Sequence, residues 1–497
     1  MTTPPPASTP VPEGTGLRLL PGARLGSRAP DGSRTLTGYG ADRVLRLVPR
    51  AAGIVAGLPA LLEDPVGRRL ARTLLDAGVA EPWWPDAAPA DDAEEAGDAG
   101  AGAGAGVTVV VPVHDRPDEL ARLLAALPGG PGGVPVVVVD DASADPGPVA
   151  AVAAAHGARL LRHPVNRGPA AARNTGLAAV TTPLVAFVDS DVVPEPGWLG
   201  TLRRHLDDPL VAVAAPRVLA LEGLPSADRL ARWVGAYETD RSSLDLGPRA
   251  AQVRPRAPVS YVPSACWLAR VEALGDGFAE ELRSGEDVDL VWRLVAAGWR
   301  VRYEPAARVR HDHRAGPAAW LRRKAFYGGS AADLARRHGD AVAPVVLTPW
   351  AAVTAVALLA QRRWSVPVAA AAWGTATVVL ARRLPGERPA ADAAVLASRG
   401  VGAVLTQTAA SLTRHHWPLA VLAATRSRRA RRALLVAALG EGLWDHHRVG
   451  ATQSPAAYVV AHRLDDLAYG AGVWVGAVRA RSPRALLPVL LRRRTGG

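Results

Sequence analysis

Pro183-Leu184-Val185-Ala186-Phe187-Val188-Asp189-Ser190-Asp191 is an apolar run that ends in two carboxylates one residue apart. An uncharged run of this length reads as a strand buried on both faces, as in a parallel sheet covered by helices. Two acidic side chains make a poor end for a buried strand but a good half-site for a hard divalent cation. Mg²⁺ or Mn²⁺ takes oxygen ligands and keeps water or substrate phosphate in its remaining positions. The stretch therefore points to an α/β sheet with diphosphate chemistry at the carboxyl ends of its strands.

The residues upstream repeat the pattern. Val107-Thr108-Val109-Val110-Val111-Pro112-Val113 is a second buried strand, followed by a helix carrying Leu120, Leu123, Leu124 and Leu127. Val134 to Val139 is a third, closed by Asp140-Asp141. A helix over Pro148 to His156 leads to a short strand at Arg159-Leu160-Leu161, then Asn166-Arg167-Gly168-Pro169 opens a helix through Ala179. Alternating strands and helices predict an α/β sheet that binds ligands at its carboxyl edge, where His114-Asp115, Asp140-Asp141 and Asp189-Asp191 all fall.

With 497 residues the chain exceeds one ordinary core, so two or three domains are expected. Residues 1–15 read as a disordered lead. Residues 16–85 read as a small α+β module for a peptide or partner, or for packing alone, with a strand and turn over Leu17 to Gly22. Helix-spaced apolar residues lie at Ala41 to Val48 and Val66 to Ala77. Residues 86–106, almost wholly Ala, Gly, Asp and Glu, read as a flexible linker. The α/β unit takes 107–340 and a helical region 341–497.

Basic residues exceed acidic ones by 12, nearly all of them arginine, and Lys324 is the one lysine. Such a balance suits nucleic acid, anionic lipid or a phosphate-bearing ligand. The arginine clusters interleave with long apolar runs rather than polar recognition helices, which argues against nucleic acid. A single cysteine, Cys266, excludes an internal disulfide and fits a reducing cytoplasm, and no signal-peptide pattern opens the chain. Val345 to Ala360 and Val366 to Ala381 are uncharged stretches of 16 residues, below the roughly 20 a spanning helix needs. With Arg426 to Arg432, and with the leucines and arginines of 484–494, they predict a peripheral or shallowly embedded region at the cytoplasmic face of a membrane.

Five motifs resemble family-2-type glycosyltransferases of the GT-A fold: Val110 to Pro117, Val138-Val139-Asp140-Asp141-Ala142-Ser143, Asn166 to Gly176, Asp189-Ser190-Asp191, and Gly285-Glu286-Asp287-Val288-Asp289-Leu290. Their order and spacing cover about residues 107 to 330. The resemblance implies a GT-A nucleotide-diphospho-sugar transferase fold with a UDP-sugar donor and a Mn²⁺ or Mg²⁺ ion. It places Pro112, Val113, Asp115, Asp140, Arg173 and Asp189 at the nucleotide and Lys324 at the donor diphosphate. Asp191 then ranks first for the metal, Asp189 touches ribose or a metal water, and either His311 or His313 could add an imidazole.

The same resemblance makes Asp287 the general base of an inverting transfer, with Glu286 orienting it or binding the acceptor. Read without it, acidic residues in a first turn simply complement the helix dipole. No Gln-x-x-Arg-Trp motif of processive synthases is present, so polymer extrusion is not expected. Cys266 has no paired base in sequence and reads as a buried structural residue.

The small module, linker, core and a tail with Leu464-Asp465-Asp466-Leu467-Ala468-Tyr469-Gly470-Ala471-Gly472 together resemble the mycofactocin-system glycosyltransferases. Membership implies glucose transfer onto a peptide-derived redox cofactor, building a short oligosaccharide. A lipid-linked or cell-wall acceptor is the same-fold alternative. A non-catalytic nucleotide-sugar or peptide binding protein is the alternative of another class, disfavoured because pure binding needs no base.

Overall fold

The chain is described here by a computed structural model that covers residues 2–38, 44–85, 104–128, 133–221, 228–312, 316–384 and 386–491. Its centre is a nine-stranded sheet. The strands are β1 (Val107–Val113), β2 (Val136–Asp140), β3 (Arg159–Arg162), β4 (Leu184–Val188), β5 (Val192–Pro194), β6 (Val211–Ala220), β7 (Ala251–Val253), β8 (Cys266–Arg270) and β9 (Arg300–His311). They run in the order β5-β9-β6-β8-β4-β1-β2-β3, and β7 pairs with β9. β4, β1, β2 and β3 are mutually parallel, while β8 is antiparallel to both β4 and β6.

Period-two alternation explains why these runs look uniformly apolar. On β4, Leu184, Ala186 and Val188 enter one core with Val107, Val109, Val111 and Val113, while Val185 and Phe187 enter the other with Val110. Both faces are buried, so no position tolerates a charge until the strand ends. The register Leu184↔Val107 and Val113↔Asp140 then brings the ends of β1, β2 and β4 to one edge. Helices α1 (Pro117–Ala126), α2 (Pro146–Ala155) and α3 (Pro169–Ala178) connect these strands, and α4 (Glu286–Ala296) follows β8.

The N-terminal module packs Leu17, Leu36, Leu74 and Leu75 between two small sheets and two helices. The expected helix over Val66 to Ala77 is present as Pro65–Asp76. Residues 44–48 differ from expectation: Leu45–Leu47 is a strand paired with Arg34–Leu36, and the helix begins at Pro49. Buried Leu45 and Leu47 flank exposed Arg46, a strand alternation that the short leucine spacing disguised. The lead contacts the rest of the chain: Thr2 bonds the Glu272 carbonyl, Trp299 Nε1 donates to the Thr2 carbonyl at 3.3 Å, and Val11 is buried. Two carboxylates join module and core, Asp76 accepting both guanidinium arms of Arg300 and Asp208 pairing with Arg72. The expected linker lies outside the described residues except for 104–106.

Beyond the sheet come α5 (Pro317–Gly329), α6 (Pro349–Ala360), α7 (Ser365–Ala381), α8 (Pro389–Ala410), α9 (Trp417–Arg426), α10 (Arg428–Val449) and α11 (Pro455–Arg479). Helices α5 and α11 cross backbone to backbone. A Cβ on Gly328 would strike the Tyr469 carbonyl, and one on Gly472 the Ala325 carbonyl. Among the described residues no helix is long and apolar enough to cross a membrane. Of the leucine–arginine segment expected near the C-terminus as interfacial, the described residues 484–491 hold no long helix. They form a short 3₁₀ turn at Arg484–Leu486, and Val489–Leu490 pairs in parallel with Val346–Leu347.

Candidate active site

The carboxyl edge of the sheet opens into a cleft of about 1270 Å³. Pro112 and Val113 line it, as do Arg173, Asp189, Asp191, Glu286, Asp287, His311 and Lys324. Asp115 and Asp140 do not. Asp115, in left-handed backbone at φ 54°, ties two loops together: its N–H donates to Ser143 Oγ at 2.9 Å and its Oδ1 accepts the Ala144 N–H at 2.7 Å. Asp140 is fully buried, accepting the Ser143 N–H at 2.8 Å and Arg162 at 2.7 Å. Both carboxylates expected at the nucleoside thus bond the loop after β2, and Asp140 also the end of β3.

The residue that reaches the cleft is Asp141, which sequence reading passed over. It accepts the backbone N–H groups of Arg167 at 2.9 Å and Gly168 at 2.7 Å, and pairs with His163 Nδ1 at 2.7 Å. Those bonds fix the turn before α3, where Gly168 sits at φ 88° with open space around it. Glycine is required there by backbone geometry, not by crowding. Arg167 pairs with exposed Glu280 at the surface.

Arg173, buried on α3, joins the two acidic motifs. One arm bonds Asp189 at 2.6 Å, the other Glu286 at 3.1 Å, and its guanidinium lies 5.4 Å from the Phe278 ring centre. Burial works against its charge, but Asp189 and Glu286 outweigh that and hold it firmly protonated. Arg173 is therefore a brace that sets Asp189 against the N-terminus of α4.

Asp191 faces β9. His311 Nε2 lies 3.5 Å from its Oδ1, Asp312 N–H donates to its carbonyl at 3.0 Å, and Arg116 holds its Oδ2. Burial pushes the Asp191 carboxyl up, yet His311 and Arg116 bring it below the usual range. Asp189 behaves oppositely: burial raises it, against the pull of Arg173. His313 lies outside the described residues. Two carboxylates and an imidazole on one corner suit Mn²⁺ or Mg²⁺, and Arg116 on Asp191 shows that the corner accepts positive charge. Their ligand atoms do not converge within 4.8 Å; among the described residues Glu441, His462 and Asp466 do. That second group is already neutralised by Arg463 and Arg414, so it reads as a buried ion network.

At the start of α4, Gly285 takes φ 80° and turns the chain so that Glu286 and Asp287 face the cleft. Asp287 accepts the Val288 N–H at 2.7 Å and the Ser264 N–H at 3.3 Å. Burial, reinforced by the charge of Glu286, pushes its carboxyl up to about 7. A carboxylate poised near neutrality is suited to take a proton from a hydroxyl.

Lys324, expected at the donor diphosphate, lines the cleft and is already paired with two carboxylates. Its ammonium is buried between Glu238 at 2.8 Å and Asp465 at 3.0 Å, and those carboxylates satisfy its charge. The partners come from distant helices, which spacing cannot show. The same tail supplies a wall that sequence reading missed. Arg414, His415, Gln407 and Tyr469 line the cleft, Arg414 stacks 3.9 Å from the Tyr469 ring centre, and Asp466 bonds Arg414 at 3.1 Å. The signal was in Leu464 to Gly472: Asp465 meets Lys324, Asp466 meets Arg414, Tyr469 faces the cleft, and Gly472 allows the close crossing. Cys266 is fully buried, and burial lifts its thiol well above the ordinary range, as a structural residue requires.

The model of glycosyl transferase family 2 matches residues 108–278. The pre-mycofactocin glycosyltransferase of Mycobacterium tuberculosis is 44% identical over 478 residues, spanning 92% of this chain and 94% of that protein. This chain belongs to glycosyl transferase family 2. The transferase also shares 30% identity over 255 residues with the succinoglycan biosynthesis protein ExoU of Rhizobium meliloti, covering 48% of this chain and 72% of that one. A mannosyltransferase of Pyrobaculum calidifontis, solved with GDP-mannose and Mn²⁺, aligns at TM-score 0.35 and 22% identity over 68% of this chain and 87% of that one. The transferase is thus a sugar-nucleotide-dependent enzyme with a GT-A sheet, a helical C-terminal region and an acidic carboxyl edge.

Proposed function

We propose that this transferase moves a hexose, glucose from UDP-glucose, onto a peptide-derived redox cofactor of the mycofactocin type, building a short oligosaccharide with inversion at the anomeric carbon. The acceptor class rests on the 44% identity, across nearly the whole length, to the pre-mycofactocin glycosyltransferase. One observation carries the chemistry: Asp287, half-buried and held by two backbone N–H groups, lies in the same cleft as Asp189 and Asp191 with its carboxyl lifted to about 7.

In this reading Asp287 takes the proton of an acceptor hydroxyl as its oxygen bonds the anomeric carbon. The carbon–oxygen bond to the diphosphate breaks on the opposite side, and the nucleoside diphosphate leaves with the electron pair. One displacement inverts configuration, so no second carboxylate is needed as nucleophile. Asp189, Asp191 and His311 would hold Mn²⁺ or Mg²⁺, whose charge would neutralise the departing diphosphate. Arg173 keeps Asp189 in place and separates the metal corner from Glu286. Asp141 shapes the turn beside Pro112 and Val113 that would receive the nucleoside. Tyr469 and Arg414 present a stacked face to the incoming acceptor.

Incubation with Mn²⁺, a panel of sugar nucleotides and candidate acceptors, read by mass spectrometry, tests this. Hexose addition to the peptide-derived acceptor from UDP-glucose is expected. Transfer only to a lipid-linked acceptor would replace the proposed substrate, and absence of transfer from every donor would refute the reading.

A further inference from the structure

Helices α6, α8 and α10 enclose a second cavity of about 510 Å³ on a different face from the catalytic cleft. Leu358, Leu359, Leu405, Leu412, Val436 and Trp444 line it, so its walls are almost wholly apolar. Around it the surface stays apolar. On α10, Leu435, Leu439 and Leu443 recur every fourth residue, which places them on one face, and they are 55%, 54% and 49% exposed. Val436 and Trp444 flank them at 66% and 57% exposure. Helix α9 adds exposed Leu419 and Leu422 beside α10. Water-soluble surfaces seldom carry so continuous an apolar area without a partner.

The charge beside it has one sign. Arg428, Arg429, Arg431 and Arg432 open α10, all exposed, and no Asp or Glu occurs between Asp392 and Glu441. Gln361 donates to the Arg429 carbonyl at 2.8 Å and accepts from Arg432, which brings exposed Arg362, Arg363 and Trp364 to the same corner. Four cations at the positive end of a helix dipole oppose the stability of that helix, so local folding does not account for them. Between residues 341 and 440 there are 12 arginines against Glu387 and Asp392. An apolar stripe continuing from an arginine cluster, with a tryptophan at the corner, fits the interface of a bilayer with anionic headgroups.

We infer that α10, the groove it shares with α6 and α8, and the arginine corner form a docking surface for an anionic lipid bilayer. The leucine stripe and Trp444 enter the acyl boundary while Arg428, Arg429, Arg431, Arg362 and Arg363 meet the headgroups. Helix α8 connects the two faces: Leu405 lines the groove and Gln407 lines the catalytic cleft. Docking therefore holds the active site within one helix layer of the membrane. The inference is independent of the acceptor's identity.

The test uses the full chain and vesicles of phosphatidylcholine with or without phosphatidylglycerol, in co-sedimentation. Binding is expected to require phosphatidylglycerol and to weaken with salt. The triple change Arg428→Glu, Arg429→Glu, Arg431→Glu is expected to reduce it by at least about tenfold, with hydrolysis of free donor unchanged as the check on folding. Cys266 is the one native cysteine and is buried, so a polarity-sensitive dye on Leu439→Cys labels a single exposed site. Its emission should shift to the blue on adding anionic vesicles. Absence of vesicle binding, or binding untouched by the charge reversals, overturns the proposal. So does a dye already blue-shifted without vesicles in a protein that sediments as a dimer, since a second copy then covers the stripe.

Discussion

Asp287→Asn removes a proton acceptor while preserving shape. The amide oxygen can still accept the Val288 N–H now held at 2.7 Å, and the 3.3 Å bond from Ser264 is the contact that is lost. General bases contribute about a hundred- to ten-thousandfold to such steps, about 3–5 kcal/mol of barrier. Turnover should therefore fall by at least about a hundredfold, with UDP-sugar affinity by calorimetry nearly unchanged. The wild-type pH profile carries the same information. With the carboxyl lifted to about 7 in the free enzyme, the base is protonated below that pH, so log(kcat/KM) should rise with unit slope up to about 7 and then level off.

Stability should move the other way. A carboxyl raised above its unfolded value of 3.8 binds more protons when folded, so its contribution declines as pH rises from near 3.8 towards 7. Asp287→Asn should consequently melt higher than wild type at pH 8 and about equally at low pH. Turnover within tenfold of wild type, or a profile flat between pH 5 and 8, would remove Asp287 from the base role.

Replacing Asp191 or His311 by Ala should abolish or sharply weaken Mn²⁺-dependent UDP binding in calorimetry; intact binding would place the cation elsewhere. Lys324→Met leaves Glu238 and Asp465 buried without their cation, which should cost about 3–5 kcal/mol of stability and appear first as a lower Tm. A raised donor KM at unchanged Tm would instead restore Lys324 to the diphosphate. Gly472→Val drives a side chain into the Ala325 carbonyl and should loosen α11 from α5, read as faster amide exchange across both helices. Unchanged exchange would mean that the crossing tolerates a side chain.

The sheet was legible because burial on both faces leaves strands such as Val107–Val113 without polar interruption, and because carboxylates recur where they end. Asp189 and Asp191 were legible for the same reason, whereas Glu286 and Asp287, which a helix dipole alone would explain, were legible only through the motif they share with the family. Asp140 and Asp141 were not separable, since which of two adjacent carboxylates turns inward depends on the His163 and Gly168 contacts made beyond β3. The pairing of Lys324 with Glu238 and Asp465 was not legible, because those partners come from helices far from it along the chain. The cleft wall of Arg414 and Tyr469 was invisible for that reason too, although the glycines of the tail recorded a close helix crossing.

The anomeric configuration of the product tests the central claim most directly. Proton NMR of the glycosylated acceptor made from an α-configured UDP-sugar should show a β-linkage, as a single displacement assisted by Asp287 requires. An α-linked product would contradict it, because retention needs a second displacement or a front-side route, and a single displacement assisted by Asp287 supplies neither.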